Sequence, residues 1–211
     1  MPRRVALRLS LVSSASFLAL LFLLHFVEPE FNRGHMISEY QLGGHGWLMS
    51  LAFSSLGVSS LLLLSALRGP SFAGVGRSGR WGMAIVAMAY FCAAAFPPIP
   101  APASEGYLHG VGGIIIIVGS PIVFTSISRS VSRVDDGQIS AGLFKWVTGV
   151  VWIGLLLFGL SGPISPIVSA ASPLALMSVF NRMMIVTYCG WLMVVAAHSA
   201  RDTHNSSGRQ S

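Results

Sequence analysis

Two pairs of ionisable residues and one arginine stand out by type and spacing. His35 and Glu39 lie four apart in HMISEYQLGGHGWLM, and Glu105 and His109 lie four apart in SEGYLHGVGG. In a helix that interval puts both members on one face. Imidazole beside carboxylate is the combination of general acid–base chemistry and, with a cation nearby, of polar ligand binding. The cation is Arg182, set in LMSVFNRMMIVTYCGW with apolar residues on both sides. An arginine at depth costs about 2.5 kcal/mol or more on insertion scales unless it faces water or a partner. Glu39 or Glu105 is the expected partner, because arginine pairs bidentately with carboxylates. Ser38 and Asn181 add hydrogen-bonding groups, and His35 and His45 are secondary members of the set. The competing readings are snorkelling of Arg182 to the headgroups and ordinary interfacial placement of the histidines and aromatics.

Other chemistries find less support. His35, Glu39, His45 and His109 could converge on zinc, but neither HxxxH nor HExxH occurs, and zinc sites favour an ordered ligand spacing. A haem between His25 and His109 has only their positions in its favour. No metal or other cofactor is expected. No GxSxG turn marks a nucleophile, and Ser38 beside Glu39 reads as a turn cap. Cys92 and Cys189 lie in apolar runs and read as small core residues, not as a disulfide framework.

The elements that must position these groups are membrane spans. Of 211 residues, 53% are hydrophobic and 9% charged, far below the roughly 25% charge of soluble domains. Six apolar runs, at residues 9–27, 47–67, 81–96, 108–127, 143–160 and 176–197, are long enough or nearly so to cross about 30 Å of hydrocarbon. FPPIPAP stops the third, and Pro121 predicts a kink in the fourth. PRRVALR resembles the start of a signal peptide, but the run after it is longer than an h-region and HFVEPEFN offers no cleavage site. Eleven of the thirteen basic residues fall on one side of these spans, all but Arg33 and Arg182. Both termini are therefore expected in the cytoplasm of a plasma-membrane protein. That bias also accounts for the net charge of +6, so nucleic acid is not an expected partner.

The expected fold is all-α: a polytopic transmembrane bundle of six helices in one domain, residues 1–200, with a short disordered cytoplasmic tail at 201–211. All four glutamates, His25, His35, His45, His109 and Arg182 then gather at the outward side, walled by Tyr40, Tyr107 and Trp47. Gly112, Gly113, Gly119, Gly149 and Gly154 read as places of close helix approach, and Met83, Met88, Met183 and Met184 as core packing.

Three segments together, ISEYQLGGHGWLM, FPPIPAPASEGYLHGVGG and NRMMIVTYCGWLMVVA, resemble the prokaryotic membrane family called domain of unknown function 998. The SEYxLGxxGWLM form looks like its actinobacterial branch. The resemblance covers essentially the whole chain. It implies six spans and puts the family's polar positions on Ser38, Glu39, His109 and Arg182. Where the family often has an acidic residue shortly after FP, this chain reads PIPAP, which leaves Glu105 as the nearest substitute.

Three functions fit these residues. The first is an outward polar pocket that binds or transports a small polar or anionic ligand or a lipid headgroup. The second is an intramembrane lipid-modifying hydrolase with Glu39 or His109 as acid or base. The third is a polar lock that fixes helix order and takes no ligand. The bilayer is the expected partner in all three.

Overall fold

Inside hydrocarbon a chain must satisfy its backbone within itself, so runs such as SFLALLFLLHFV fold as helices. The computed structural model describes residues 1–67, 74–99, 104–134, 138–164 and 173–207. Among them are seven α-helices and no strand: α1 Arg3–Val27, α2 Gly46–Ala66, α3 Arg77–Ala95, α4 Ser104–Ile114, α5 Ser120–Val134, α6 Gln138–Ile164 and α7 Pro173–Ser207. Two 3-10 turns, Pro29–Asn32 and Ile37–Leu42, fill the connection from α1 to α2.

Five helical stretches are long and apolar enough to cross a membrane: Arg3–Val27, Gly46–Ala66, Ser104–Ser132, Gly142–Ser161 and Leu174–Ala200. The protein is membrane-embedded. The third expected span falls in α3, whose 19 residues include Arg77 and Arg80 and do not reach the same apolar length. The last helix runs to Ser207, beyond the expected end at 197. Arg68, Arg209 and residues 100–103 of the proline segment lie outside the described residues.

In the bundle α1 packs on α2 and α7, α2 on α3, and α6 on α7. Polar side chains join the first pair: Ser59 Oγ lies 2.9 Å from Ser10 Oγ and 2.8 Å from Ser14 Oγ, all buried. Such bonds hold helices where no water competes, each contributing about 0.6 kcal/mol.

Helix α3 runs antiparallel to α4 and α5 along its whole length. Gly79 faces Ser126 and Ile127, Gly82 faces Val123, Val86 faces Gly119, and Ala89 and Cys92 face Gly112. A Cβ on Gly112 would come within 3.1 Å of the Ala89 carbonyl, and one on Gly154 within 3.2 Å of Met184 Cα. These two glycines do permit close approach. Gly113 and Gly149 face open space, so that expectation fails for them. Met83 and Met184 are core residues, but Met88 and Met183 are exposed on the outer surface.

A π turn, Ile115–Gly119, joins α4 to α5. Pro121 explains it. Proline has no amide to give the carbonyl four residues back, that of Ile117. Tyr188 from α7 supplies a donor instead, its Oη lying 2.7 Å from Ile117 O. Next to it Phe124 stacks on Trp191 with centroids 4.0 Å apart.

Candidate functional site

The segment between α1 and α2 folds back over the end of the bundle as a cap, with Ile37 and Tyr40 buried beneath it. Its beginning and end meet at Glu28. The Glu28 amide donates to Leu24 O and closes α1. Its carboxylate accepts the backbone N–H of His45 at the start of α2, and Oε1 also lies 2.9 Å from His45 Nδ1. A carboxylate at a helix N-terminus meets unpaired amides and the positive end of the dipole. The His45 amide holds the Glu28 carboxyl below the usual glutamate range, against the opposing effect of burial, with smaller help from Glu30 and the His45 ring. The side chain is 3% exposed, shielded by a single layer of loop: a Cβ on Gly43 would stand 2.5 Å from Oε2.

Arg182 reaches this cap from α7, but the expected ion pair is not formed. Among the described residues Arg182 meets no carboxylate. Nη1 donates to His35 O at 3.0 Å, to Ser178 O at 3.1 Å and to Ser178 Oγ. Nη2 donates to Phe31 O and, at 3.5 Å, to Tyr40 Oη. The guanidinium carbon lies 5.5 Å from the centre of the Tyr40 ring, within cation–π range. The neighbouring Asn181 accepts the Ile37 amide at 2.9 Å. The carbonyls of Phe31 and His35 accept no amide outside the regular helices among the described residues and so are left for Arg182, whereas Glu39 has nearer partners. Its Oε2 lies 2.7 Å from His35 Nδ1 and accepts the Met36 amide at 3.1 Å.

Glu105 and His109 share α4, yet they do not join this cluster. His109 is buried with Nδ1 2.6 Å from Phe96 O, at the end of α3. Glu105 is exposed, and among the described residues it has no bonded partner. Ser38 is half-buried beside Glu39 and makes no side-chain hydrogen bond there. Of the expected aromatic walls only Tyr40 is enclosed. Trp47 and Tyr107 are 63% and 74% exposed.

Asn32, Gln41 and Ser178 were not singled out from the sequence. Tyr40 Oη donates to Asn32 Oδ1, and Asn32 Nδ2 donates to His25 O at 2.9 Å. Gln41 Nε2 donates to Ser50 Oγ and Ala93 O, both at 2.9 Å, tying the cap to α3. Gln41 and Asn32 have no signature that separates them from loop polarity. Glu28 was placed in the outward set but not as the tie between α1 and α2, for which the signal is a carboxylate directly after a span, with GlyGlyHis before the next helix.

The cluster therefore has two layers. Beneath are Arg182, Asn181, Tyr40, Asn32 and Ser178, with their bonds directed inward. Above are His35 and His45, each held at Nδ1 by a carboxylate, with side chains 47% and 55% exposed. No group of three His, Cys, Asp or Glu that could hold a metal occurs among the described residues.

No curated protein and no solved structure matches the chain. A family model does match, over residues 11–198, and its description is a protein of unknown function. That span runs from the first helix into the last and takes in the whole cap, so the chain belongs to the DUF998 family.

Proposed function

We propose that this is a six-pass plasma-membrane protein with both termini in the cytoplasm, whose outer cap binds a small polar or anionic ligand, a lipid headgroup included. Six passes are supported by α3, which lies alongside α4 and α5 from Gly79 to Phe96. At 1.5 Å per residue its length is about 28 Å, close to the hydrocarbon thickness. An even number of passes agrees with the basic residues at both ends of the chain.

The observation that carries the binding reading is the pair of half-exposed imidazoles, His35 and His45, each oriented by a carboxylate at Nδ1. That leaves Nε2 of each ring for a ligand, on a cap held from below by Arg182 and Asn181. Ser38 and Glu39 lie on the same turn. Arg182 acts by position and does not meet the ligand.

The lock reading draws on a separate observation, the use of Arg182 on carbonyls of the cap. A hydrolase would engage Ser38 or Glu39 with His109, and His109 instead bonds the Phe96 carbonyl.

The test uses purified protein in mild detergent. Glycerol 1-phosphate and phosphoethanolamine should raise the unfolding temperature of the wild type clearly more than that of the variant H35A/H45A, whose own unfolding temperature stays close to wild type. No shift with either compound, or the same shift in the variant, rejects the outer binding site. In cells, S38C in a background lacking Cys92 and Cys189 should react with a membrane-impermeant maleimide from outside. Protection until the cells are opened rejects the orientation.

A further inference from the structure

A second polar site lies between α5 and α6, away from the cap. The residues Thr125, Ser128, Arg129 and Ser132 of α5 follow the spacing i, i+3, i+4, i+7, and so do Lys145, Thr148, Gly149 and Trp152 of α6. Each set makes one stripe along its helix. The stripes face each other across a cavity of about 520 Å³ that all eight residues line, with Phe144.

The register is antiparallel. Trp152 Nε1 donates to Thr125 Oγ1 at 2.8 Å, and Thr148 Oγ1 donates to Ser128 Oγ at 2.8 Å. Continued by one turn, the same register sets Lys145 beside Ser132 and Arg129. Cations thus gather at the end nearest the α5–α6 connection, and the indole closes the deeper end.

Two features mark the cavity as built for an anion. Arg129 and Lys145 are exposed, and among the described residues neither has an acidic partner. Two like charges on one cavity repel unless a counter-charge sits between them. The buried Ser128 hydroxyl accepts from Thr148 and, at 3.0 Å, from Trp191 Nε1, so its own proton remains to be donated. Helix α6 keeps most of its surface for lipid, with only 22% of its most apolar window buried.

We infer that this cavity is a binding site for a phosphate group, which the chain takes from the headgroup of an anionic phospholipid. The two cations meet the phosphate oxygens, the Ser128 and Ser132 hydroxyls donate to the ester or glycerol oxygens, and Trp152 borders the start of the acyl chains, where indoles are favoured. Basic pockets between membrane helices on the cytoplasmic side hold such headgroups elsewhere. The inference goes beyond the outer cap and uses the proposed orientation only to assign the leaflet. Asp135 and Asp136 come next in the chain and lie outside the described residues.

The full chain, purified in mild detergent, is tested by native mass spectrometry and thermal unfolding with phosphatidylglycerol, phosphatidylcholine or inorganic phosphate. Phosphatidylglycerol should be retained and stabilising, and phosphatidylcholine should not. Retention should fall roughly tenfold or more in R129Q/K145Q, weaken with added salt, and persist in R8Q, which removes an exposed charge from the same end. D135N/D136N should retain the lipid at least as well as wild type. Stabilisation by inorganic phosphate to the same degree, with no lipid preference, overturns the lipid assignment. Equal retention by wild type and R129Q/K145Q overturns the site. Each arm is repeated in the H35A/H45A background, where the outer cap adds nothing, and both results should stand there.

Discussion

At the scale of single residues, the chemistry follows from what each polar group finds within reach. Glu28 is held ionised by the His45 amide, so the folded state binds its proton less tightly than the unfolded chain does. Stability from this contact is therefore complete above the unfolded glutamate value of about 4.3 and is lost as pH falls through and below it. Acid titration of unfolding in detergent should show that decline in the wild type and a shallower one in E28Q. A decline just as steep in E28Q would remove Glu28 from the account. The ionisable residue types of the cap are conspicuous in the sequence, since charge stands out in an apolar chain. Their partners are not. The carbonyls of Phe31 and His35 become available to Arg182 only through the fold of the connection between α1 and α2, so pairing Arg182 with a carboxylate was the natural error.

At the scale of elements, hydropathy was enough to locate the helices, and Pro121 marked the irregularity in the α4–α5 helix. What proline could not reveal is its partner. Tyr188 reads in sequence as one more interfacial or core aromatic, yet its hydroxyl serves the Ile117 carbonyl that Pro121 leaves without an amide. Removing the hydroxyl in Y188F should cost about 1–3 kcal/mol, the penalty of a buried acceptor left without a donor. In a P121A background the helix regains its own amide, and the same change should cost clearly less. Equal costs in both backgrounds, measured as unfolding free energies in mixed micelles, would show that the tyrosine acts by packing alone.

At the scale of the whole molecule, the cap joins the start of the bundle to its last helix. Glu28 ties α1 to α2, Gln41 ties the cap to α3, and Arg182 with Asn181 ties it to α7. The central claim is that Arg182 clasps the backbone of the cap and is not the partner of Glu39. R182A should then cost about 3 kcal/mol or more, because several charge-assisted bonds are lost together. E39Q should cost less than about 1 kcal/mol, since its histidine partner is half exposed. The most direct test is the double-mutant cycle of E39Q with R182A, read as unfolding free energy in mixed micelles. The clasp predicts a coupling energy within about 0.5 kcal/mol of zero. A coupling well above about 1 kcal/mol would mean that Glu39 and Arg182 form the ion pair after all, and would contradict the clasp.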